Sequence, residues 1–186
     1  MFIQTEQTPN PSTLKFIPGR PVLENGSADF RSAEDAAGVS PLAERLFGID
    51  KVTGVFLGPD FVSVSKQDDA EWYLLKPAIL GVIMEHFAAG QAVMNEGASA
   101  DQSEQEVSEE DQEIVGQIKE LLDTRVRPAV AQDGGDIVFQ GFQRGVVYLH
   151  MRGACSGCPS STATLKMGIE NMLRHYIPEV TEVRAV

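Results

Sequence analysis

A strongly acidic segment divides this sequence into two halves. Residues 96–113 hold eight acidic residues and no basic residue, and they contain almost no large apolar side chain. Such a segment buries too little apolar surface to offset the entropy that is lost on ordering, so it is typical of a linker. We therefore predict two small domains, residues 1–92 and 108–186, joined by a flexible acidic linker over residues 93–107. Residues 108–111 fit the acidic first turn of a helix.

The negative charge belongs mainly to this segment and to the first half. The chain of 186 residues has a formal net charge of −12. Residues 1–95 contribute seven basic and twelve acidic residues, a net −5, whereas residues 114–186 contribute eight basic and seven acidic residues, a net +1. Binding to nucleic acid or to an anionic membrane surface needs a basic face. We therefore expect neither nucleic acid nor a membrane as a partner of this globular chain.

The first half is predicted to form an α+β domain with the element order ββαββα. Apolar periodicity and turn residues place these elements, in chain order, at residues 1–6, 13–17, 41–47, 52–57, 61–65 and 72–88. Pro77 lies early in the last helix, so we expect that helix to begin shortly before it. His86 is the only histidine of this half. A lone histidine near a helix end is typical of a surface or capping residue.

The second half is predicted to form another α+β domain, with the order αββαβ. An apolar stripe at i, i+4, i+7 and i+8 predicts an amphipathic helix that starts at Ile114 and runs towards Pro128. A glycine turn at Asp133-Gly134-Gly135-Asp136 follows. The remaining elements are predicted as strands at 137–142 and 146–151, a long helix at about 160–176 and a last strand at 180–186.

Cys155 and Cys158 are the only cysteines, and they form a Cys-x-x-Cys motif between the second strand and the long helix. Two intervening residues let both sulfur atoms turn toward one centre. Gly153 and Gly157 permit the sharp backbone turn that this requires. Two cysteines so close together cannot act as a disulfide framework for the fold, so the motif points to chemistry.

The helix that follows gives an electrostatic reason for thiolates at this motif. Pro159 fits its first position, where the missing N–H costs nothing. The positive end of a helix lowers the pKa of a nearby cysteine, and Arg152 and Lys166 add positive charge. The motif therefore suits redox-active thiolates or an anionic metal–sulfur cluster.

Three kinds of site remain open for the two cysteines. A thioredoxin-type redox site follows the first strand of a βαβ unit and usually has an aromatic residue before its first cysteine, whereas Ala154 and an antiparallel hairpin precede this one. A structural zinc site needs four ligands, and this half offers the cysteines and at most His150, which is predicted on a strand face. An iron–sulfur cluster usually takes four cysteine ligands, of which one chain supplies two.

Half a ligand set has a functional consequence of its own. The other ligands of a cluster must come from a second copy, a partner protein or a small thiol. A cluster held between two chains is lost when their interface opens, whereas an electron-transfer protein would bury four ligands in one chain. The motif therefore predicts cluster assembly and delivery, without catalysis on a substrate. The main alternative from another class is a thiol–disulfide oxidoreductase.

Motifs in both halves resemble the NifU-like (Nfu) family. Residues 108–186 resemble the NifU C-terminal domain through Arg127-Pro128-Ala129-Val130, Asp133-Gly134-Gly135-Asp136-Ile137 and Gly153-Ala154-Cys155-Ser156-Gly157-Cys158-Pro159-Ser160-Ser161. Residues 1–90 resemble the N-terminal domain of Nfu proteins of mitochondria and related bacteria through Phe2-Ile3-Gln4-Thr5, Thr8-Pro9-Asn10-Pro11 and Leu14-Lys15-Phe16.

The resemblance implies a scaffold or carrier for iron–sulfur clusters. It implies a [4Fe–4S] cluster, or alternatively a [2Fe–2S] cluster, bound between two protomers by Cys155 and Cys158 of each. The implied partners are a second copy of the chain on cluster binding, upstream cluster-assembly proteins, and apo iron–sulfur proteins as acceptors. No catalytic residue is implied, so we do not expect an enzyme.

The first residues of the sequence lead to an expectation about location. Residues 1–6 lack the basic start and apolar run of a signal peptide, and they do not resemble a transit peptide rich in Arg and Ser. Together with the resemblance, this favours a cytoplasmic protein of a bacterium over a mitochondrial precursor.

Overall fold

A computed structural model of the protein describes residues 2–24, 26–96, 108–154 and 159–185, of which residues 159–162 are described by their backbone alone. The chain divides into two compact units, Met1–Asp101 and Gln102–Val186. Each unit combines helices with one sheet, so the predicted α+β fold class is confirmed. Within the described residues, no helix is both long and apolar enough to cross a membrane. Residues 97–107 lie outside the described residues, so the flexible linker stays a prediction.

The first unit is built on a five-stranded sheet. Its elements are β1 (Gln4–Gln7), β2 (Thr13–Ile17), β3 (Ala28–Phe30), α1 (Ala33–Ala36), α2 (Pro41–Phe47), β4 (Val52–Leu57), β5 (Val62–Lys66) and α3 (Trp72–Ala88). The strand order is β1-β2-β5-β4-β3, and every neighbouring pair is antiparallel. Apolar side chains of the sheet and of α2 and α3 form one core.

The predicted order ββαββα omits two short elements of this unit, β3 and α1. β3 has three residues and α1 has four. Elements of this length complete neither a strand alternation nor two helical turns, so they leave no periodic signal in the sequence. The sequence did contain a local signal for α1, because serine is a residue type that is favoured at the N-cap of a helix. In the structure, the side chain of Ser32 accepts a hydrogen bond from the amide of Asp35.

α3 begins at Trp72 and ends at Ala88, the bounds of the apolar periodicity. Pro77 is its sixth residue, so the expectation that the helix starts shortly before Pro77 is wrong. His86 lies on the buried side of this helix and is 0% exposed, so the prediction of a surface or capping residue is wrong. It continues the stripe of Ile79 and Ile83 that packs on the sheet, because residues three and four apart share a helix face.

The segment after α3 is held against the first unit. The hydroxyl of Ser40 donates to the carbonyl of Val93 at 2.6 Å. The backbone amide of Asn95 donates to the carbonyl of Val39 at 2.8 Å, and its side-chain amide donates to that of Gly38 at 2.9 Å. The hydrogen-bonded part of the first unit therefore continues to Asn95, beyond the boundary predicted at residue 92.

The second unit places its helices on one face of a three-stranded sheet. Its elements are a 3₁₀ turn (Glu109–Asp111), α4 (Gln112–Leu121), a π-helical stretch (Leu122–Val126), α5 (Arg127–Gln132), β6 (Gly135–Gln143), β7 (Val146–Gly153), α6 (Pro159–Tyr176) and β8 (Glu182–Ala185). The strand order is β6-β7-β8. β6 and β7 are antiparallel, whereas β8 is parallel to β7. The crossover β7–α6–β8 is therefore a βαβ unit.

The helix predicted to run towards Pro128 continues past it, through α5 to Gln132. Within an α-helix, the proline ring collides with the carbonyl four residues earlier. Here the five residues before Arg127 are π-helical, and a local change of helix register of this kind relieves such a clash. The sequence analysis followed this helix only as far as Pro128, and the helical segment extends beyond it.

Candidate functional site

The predicted ligands Cys155 and Cys158 lie outside the described residues, but the elements on both sides of them are described. β7 ends at Gly153, and α6, with 18 residues, begins at Pro159. The Cys-x-x-Cys segment therefore connects the carboxyl end of the central strand to the N-terminus of α6.

This placement supports the electrostatic prediction made for the motif. The first amides of α6 have no carbonyl partner within the helix, and the helix dipole puts partial positive charge at this end. Pro159 occupies the first position of the helix, as predicted. Arg152, at the end of β7, is buried, with 9% of its surface exposed. The positive end of the α6 dipole therefore lies where the segment that carries the two thiols ends.

The residues just before Cys155 are fixed by the glycine turn that precedes β6. The amide of Ala154 donates to the carbonyl of Gly134 at 3.2 Å. Gly135 and Gly153 lie opposite each other in the β6–β7 ladder. Gly134 has φ = 80° and Gly153 has φ = 66°, values that glycine adopts without the steric cost of a Cβ. The two glycine motifs of the sequence therefore meet at one place.

A charged pair holds this turn from the helix side. The guanidinium of Arg127 donates from Nε to Oδ1 of Asp136 at 2.9 Å and from Nη2 to Oδ2 at 3.0 Å. The amide of Ile137 also donates to Oδ1, at 2.8 Å. The hydrogen bonds to Asp136 raise the pKa of Arg127 further above its usual range, and a third bond joins Arg127 to Asp123 at 3.0 Å. Arg127 therefore stays charged.

Sequence reasoning missed the pairing of Arg127 with Asp136. Both residues belong to motifs that carried the family resemblance, but no function was assigned to them. The available signal was an arginine nine residues before an acid that ends a glycine turn. Spacing alone does not show that a short helix brings the two side chains together.

The structure also tests the alternatives to a cluster. The antiparallel hairpin expected before the motif is present as β6–β7, and Ala154 precedes Cys155. The motif nevertheless also follows the first strand of the βαβ unit β7–α6–β8, a position that thioredoxin-type sites share. The described part of the chain contains no group of three or more His, Cys, Asp or Glu side chains suited to a metal ion. His150 lies within β7, opposite Val138, in agreement with its predicted strand position.

Comparisons with known proteins agree with both halves of the sequence. A family model described as scaffold protein Nfu/NifU N terminal matches residues 3–90, and one described as NifU-like domain matches residues 118–184. The chain is 54% identical, over 98% of its length, to NifU-like protein 4, mitochondrial, of Arabidopsis thaliana, and covers 65% of that protein. It is 52% identical, over 100% of its length, to the human NFU1 iron-sulfur cluster scaffold homolog, mitochondrial, and covers 72% of it.

Among solved structures, a NifU-like protein from Saccharomyces cerevisiae is similar to 51% of this chain and 85% of that chain, with 27% identity and a TM-score of 0.47. The expectation of a bacterial cytoplasmic protein is wrong, because the plant, fly and human relatives are named mitochondrial. The chain covers about two thirds of the length of several of them. Both family models match this chain, and more than half of its residues are identical to those of these relatives, so the chain belongs to the NifU-like (Nfu) family.

Proposed function

We propose that this chain is an iron–sulfur cluster carrier that holds a [4Fe–4S] cluster between two copies of itself. The observation that carries the proposal is a pair of thiols between β7 and the N-terminus of α6, which is half of a four-cysteine ligand set. The human and fly relatives are named iron-sulfur cluster scaffold homologs, which supports the same cargo.

The cluster is cargo in this proposal, and it moves by ligand exchange. Cys155 and Cys158 of each copy bind iron through thiolate sulfur. When an acceptor docks, each bond from iron to a carrier cysteine is replaced by a bond to an acceptor cysteine. The proton that an acceptor thiol loses is taken up by the released carrier thiolate. No electron is transferred, so the process needs no catalytic residue and the chain is not an enzyme.

The proposal implies partners of three kinds. A second copy completes the ligand set, so dimerisation accompanies cluster binding. Upstream cluster-assembly proteins supply the cluster, and apo iron–sulfur proteins receive it. Because the cluster is shared between chains, separation of the two copies exposes it to an incoming set of thiols.

Anaerobic reconstitution with ferrous iron and sulfide tests the ligand assignment. The full chain should bind about two iron atoms per copy and elute as a dimer, since one four-iron cluster serves two chains. Cys155→Ala and Cys158→Ala should each lose the visible absorption of the cluster. Ser156→Ala, which changes a residue between the cysteines, is the matched control and should retain it. Undiminished absorption in Cys155→Ala, or a monomeric loaded form, would contradict the proposal.

The cluster type needs its own measurement, because two cysteines per chain also suit a bridging [2Fe–2S] cluster. Mössbauer spectroscopy of protein isolated anaerobically from its host distinguishes the two types by their iron environments. The proposal expects the [4Fe–4S] spectrum. It further expects that an apo-protein that depends on a [4Fe–4S] cluster gains activity when mixed with the loaded carrier.

The second candidate function is thiol–disulfide exchange, and the βαβ position of the motif favours it. In that case the iron-free protein would show a reversible two-electron couple between the dithiol and a disulfide of Cys155 and Cys158. It would also reduce a disulfide-bonded protein substrate catalytically in the presence of a thiol reductant. Such activity in iron-free protein, together with failure to bind a cluster, would replace the carrier proposal.

A further inference from the structure

We propose that Arg127 and Asp136 form a positioning pair that fixes the start of the Cys-x-x-Cys loop. Neither residue would bind the cluster. Their effect on the loop is a property of the iron-free chain, and its consequence for cluster retention rests on the proposed carrier function.

The pair joins a helix to a strand through two hydrogen bonds. Arg127 is the first residue of α5, and Asp136 is the second residue of β6. Two parallel hydrogen bonds join them, at 2.9 and 3.0 Å. A bidentate pair of this kind fixes orientation as well as distance, because both planar groups must stay coplanar. The pair therefore fastens the start of α5 to the strand that follows its end.

Backbone pairing between β6 and β7 connects Asp136 to the start of the loop. Asp136 lies opposite Arg152 in the β6–β7 ladder, and the next pair is Gly135 with Gly153. The ladder is then extended by the hydrogen bond from the amide of Ala154 to the carbonyl of Gly134. Residues 134–136, which the pair holds, thus bind residues 152–154, and the last of these precedes Cys155.

The pair of Arg127 and Asp136 is more buried than an ordinary surface ion pair. The side chain of Asp136 is 9% exposed, and its two oxygens accept three hydrogen bonds from Arg127 and Ile137. Glu182 and Arg184 form another bidentate pair in the same unit, with side chains that are 41% and 55% exposed. Exposed pairs contribute little to structure. A carboxylate nearly removed from water depends far more on its partner.

Loss of the pair should weaken the retention of a bound cluster. Supporting interactions around metal ligands typically change metal affinity about 10- to 100-fold when they are removed. If the glycine turn is released, the amide of Ala154 loses its fixed acceptor and the backbone entering Cys155 gains freedom. The thiols must then be ordered on binding, so the loaded dimer should release its cluster faster.

The test compares the wild type with Arg127→Lys and Asp136→Asn. Lysine keeps the positive charge but not the fork that makes two parallel bonds. Asparagine keeps the size of the side chain and an oxygen that accepts from Ile137. Arg184→Lys makes the same chemical change in the exposed pair and is the matched control. Circular dichroism and thermal unfolding show which variants keep the fold.

The first readout is amide hydrogen exchange of the iron-free full chain. We expect exchange at Ala154 to accelerate about tenfold in Arg127→Lys and Asp136→Asn, while exchange at Leu149, in the middle of β7, changes far less. Arg184→Lys should leave both rates unchanged. Unchanged exchange at Ala154, or equal acceleration at Ala154 and Leu149, would overturn the positioning role, since the pair would then act on the whole unit.

The second readout is the half-life of the cluster on reconstituted protein challenged with a chelator. We expect it to shorten about tenfold in both variants and to stay unchanged in Arg184→Lys. An unchanged half-life in a variant whose Ala154 exchange has accelerated would overturn the link from the pair to cluster retention. If the wild type itself binds no cluster, the carrier proposal fails, and the exchange rates still decide whether the pair holds the loop.

Discussion

The Nε2 atom of His86 lies 2.9 Å from the carbonyl oxygen of Ala92 inside the first unit. A carbonyl only accepts, so Nε2 carries the proton and Nδ1 is the bare nitrogen of a neutral ring. Nδ1 is buried, with no hydrogen-bond partner among the described residues. Burial lowers the pKa of His86, and the charge of Arg45 acts in the same direction, while the bond to Ala92 opposes both. The interior of the first unit therefore contains an uncharged imidazole.

This relationship predicts a pH dependence of stability. Above the ordinary histidine pKa of about 6.5, the ring is neutral in both states and contributes no pH dependence. Below it, the unfolded chain binds a proton that the folded chain resists, so the free energy of unfolding falls as the pH falls. The loss continues until the lowered pKa of the folded state is reached.

Urea denaturation near pH 7.5 and pH 5.5 measures this effect through the fluorescence of Trp72, the only tryptophan. The wild type should lose more stability between the two values than His86→Gln, which can still donate to Ala92 but cannot titrate. His175→Gln is the control, because His175 belongs to the second unit. Equal losses in the wild type and His86→Gln would show that the carboxylates alone cause the dependence.

Ser40 forms two side-chain hydrogen bonds, so its replacement should lower the stability of the first unit. Its hydroxyl oxygen accepts from the amide of Ala43 as the N-cap of α2, and its proton goes to Val93. Ser40→Ala removes both bonds at a site that is 0% exposed, so the first unit should lose about 2 kcal/mol. The control is Ser32→Ala, which removes an exposed N-cap bond alone and should cost about 1 kcal/mol or less. Trp72 fluorescence in urea gives both values, and equal costs would deny a role to Val93.

Two glycines of the second unit should respond to alanine in opposite directions. Gly145 has φ = 81°, and an added Cβ would lie 2.8 Å from the Thr181 hydroxyl and 3.0 Å from the Glu179 carbonyl. Gly145→Ala should therefore destabilise this unit by more than 1 kcal/mol. Gly116 lies exposed in α4 with open space around it, so Gly116→Ala should stabilise the helix by up to about 1 kcal/mol. Thermal unfolding followed by circular dichroism measures both effects. A change of the unfolding temperature in the same direction in both variants would contradict this account.

The two sides of α3 should differ sharply in their sensitivity to truncation. Ile79 is 0% exposed in the core of the first unit, so Ile79→Ala should cost about 2–5 kcal/mol. Leu74, five residues earlier, is 66% exposed, and Leu74→Ala should change stability by less than about 0.5 kcal/mol. Denaturation in urea checks the pair, and a large loss in Leu74→Ala would reveal a contact of this side chain that the first unit does not show.

The sequence was a sufficient guide wherever a long repeated pattern coincided with a boundary residue. The strands Thr13–Ile17 and Val52–Leu57 have the predicted bounds, and the helix Trp72–Ala88 has the bounds of its apolar periodicity. The hairpin predicted at residues 143–145 is a two-residue turn in which Arg144 and Gly145 both have positive φ, as tight hairpins require. In these places, local propensity and tertiary packing favour the same structure.

The sequence was insufficient where residues distant in the chain determine each other. Nothing local shows that β8 pairs parallel to β7, and that pairing is what makes the surroundings of the cysteine motif a βαβ unit. The same reason explains the missed pair of Arg127 and Asp136. The burial of His86 was not predicted because it depends on the backbone beyond the helix, where the carbonyl of Ala92 accepts a hydrogen bond from the ring.

The crossover β7–α6–β8 also sets an order of events during folding. The β6–β7 hairpin can form from neighbouring residues, whereas the pairing of β7 with β8 must wait until α6 has been made and docked. Until then, the motif has a strand on one side and no completed helix on the other. A newly synthesised chain thus completes both elements that flank the motif only after the β6–β7 hairpin has formed, and before β8 joins the sheet.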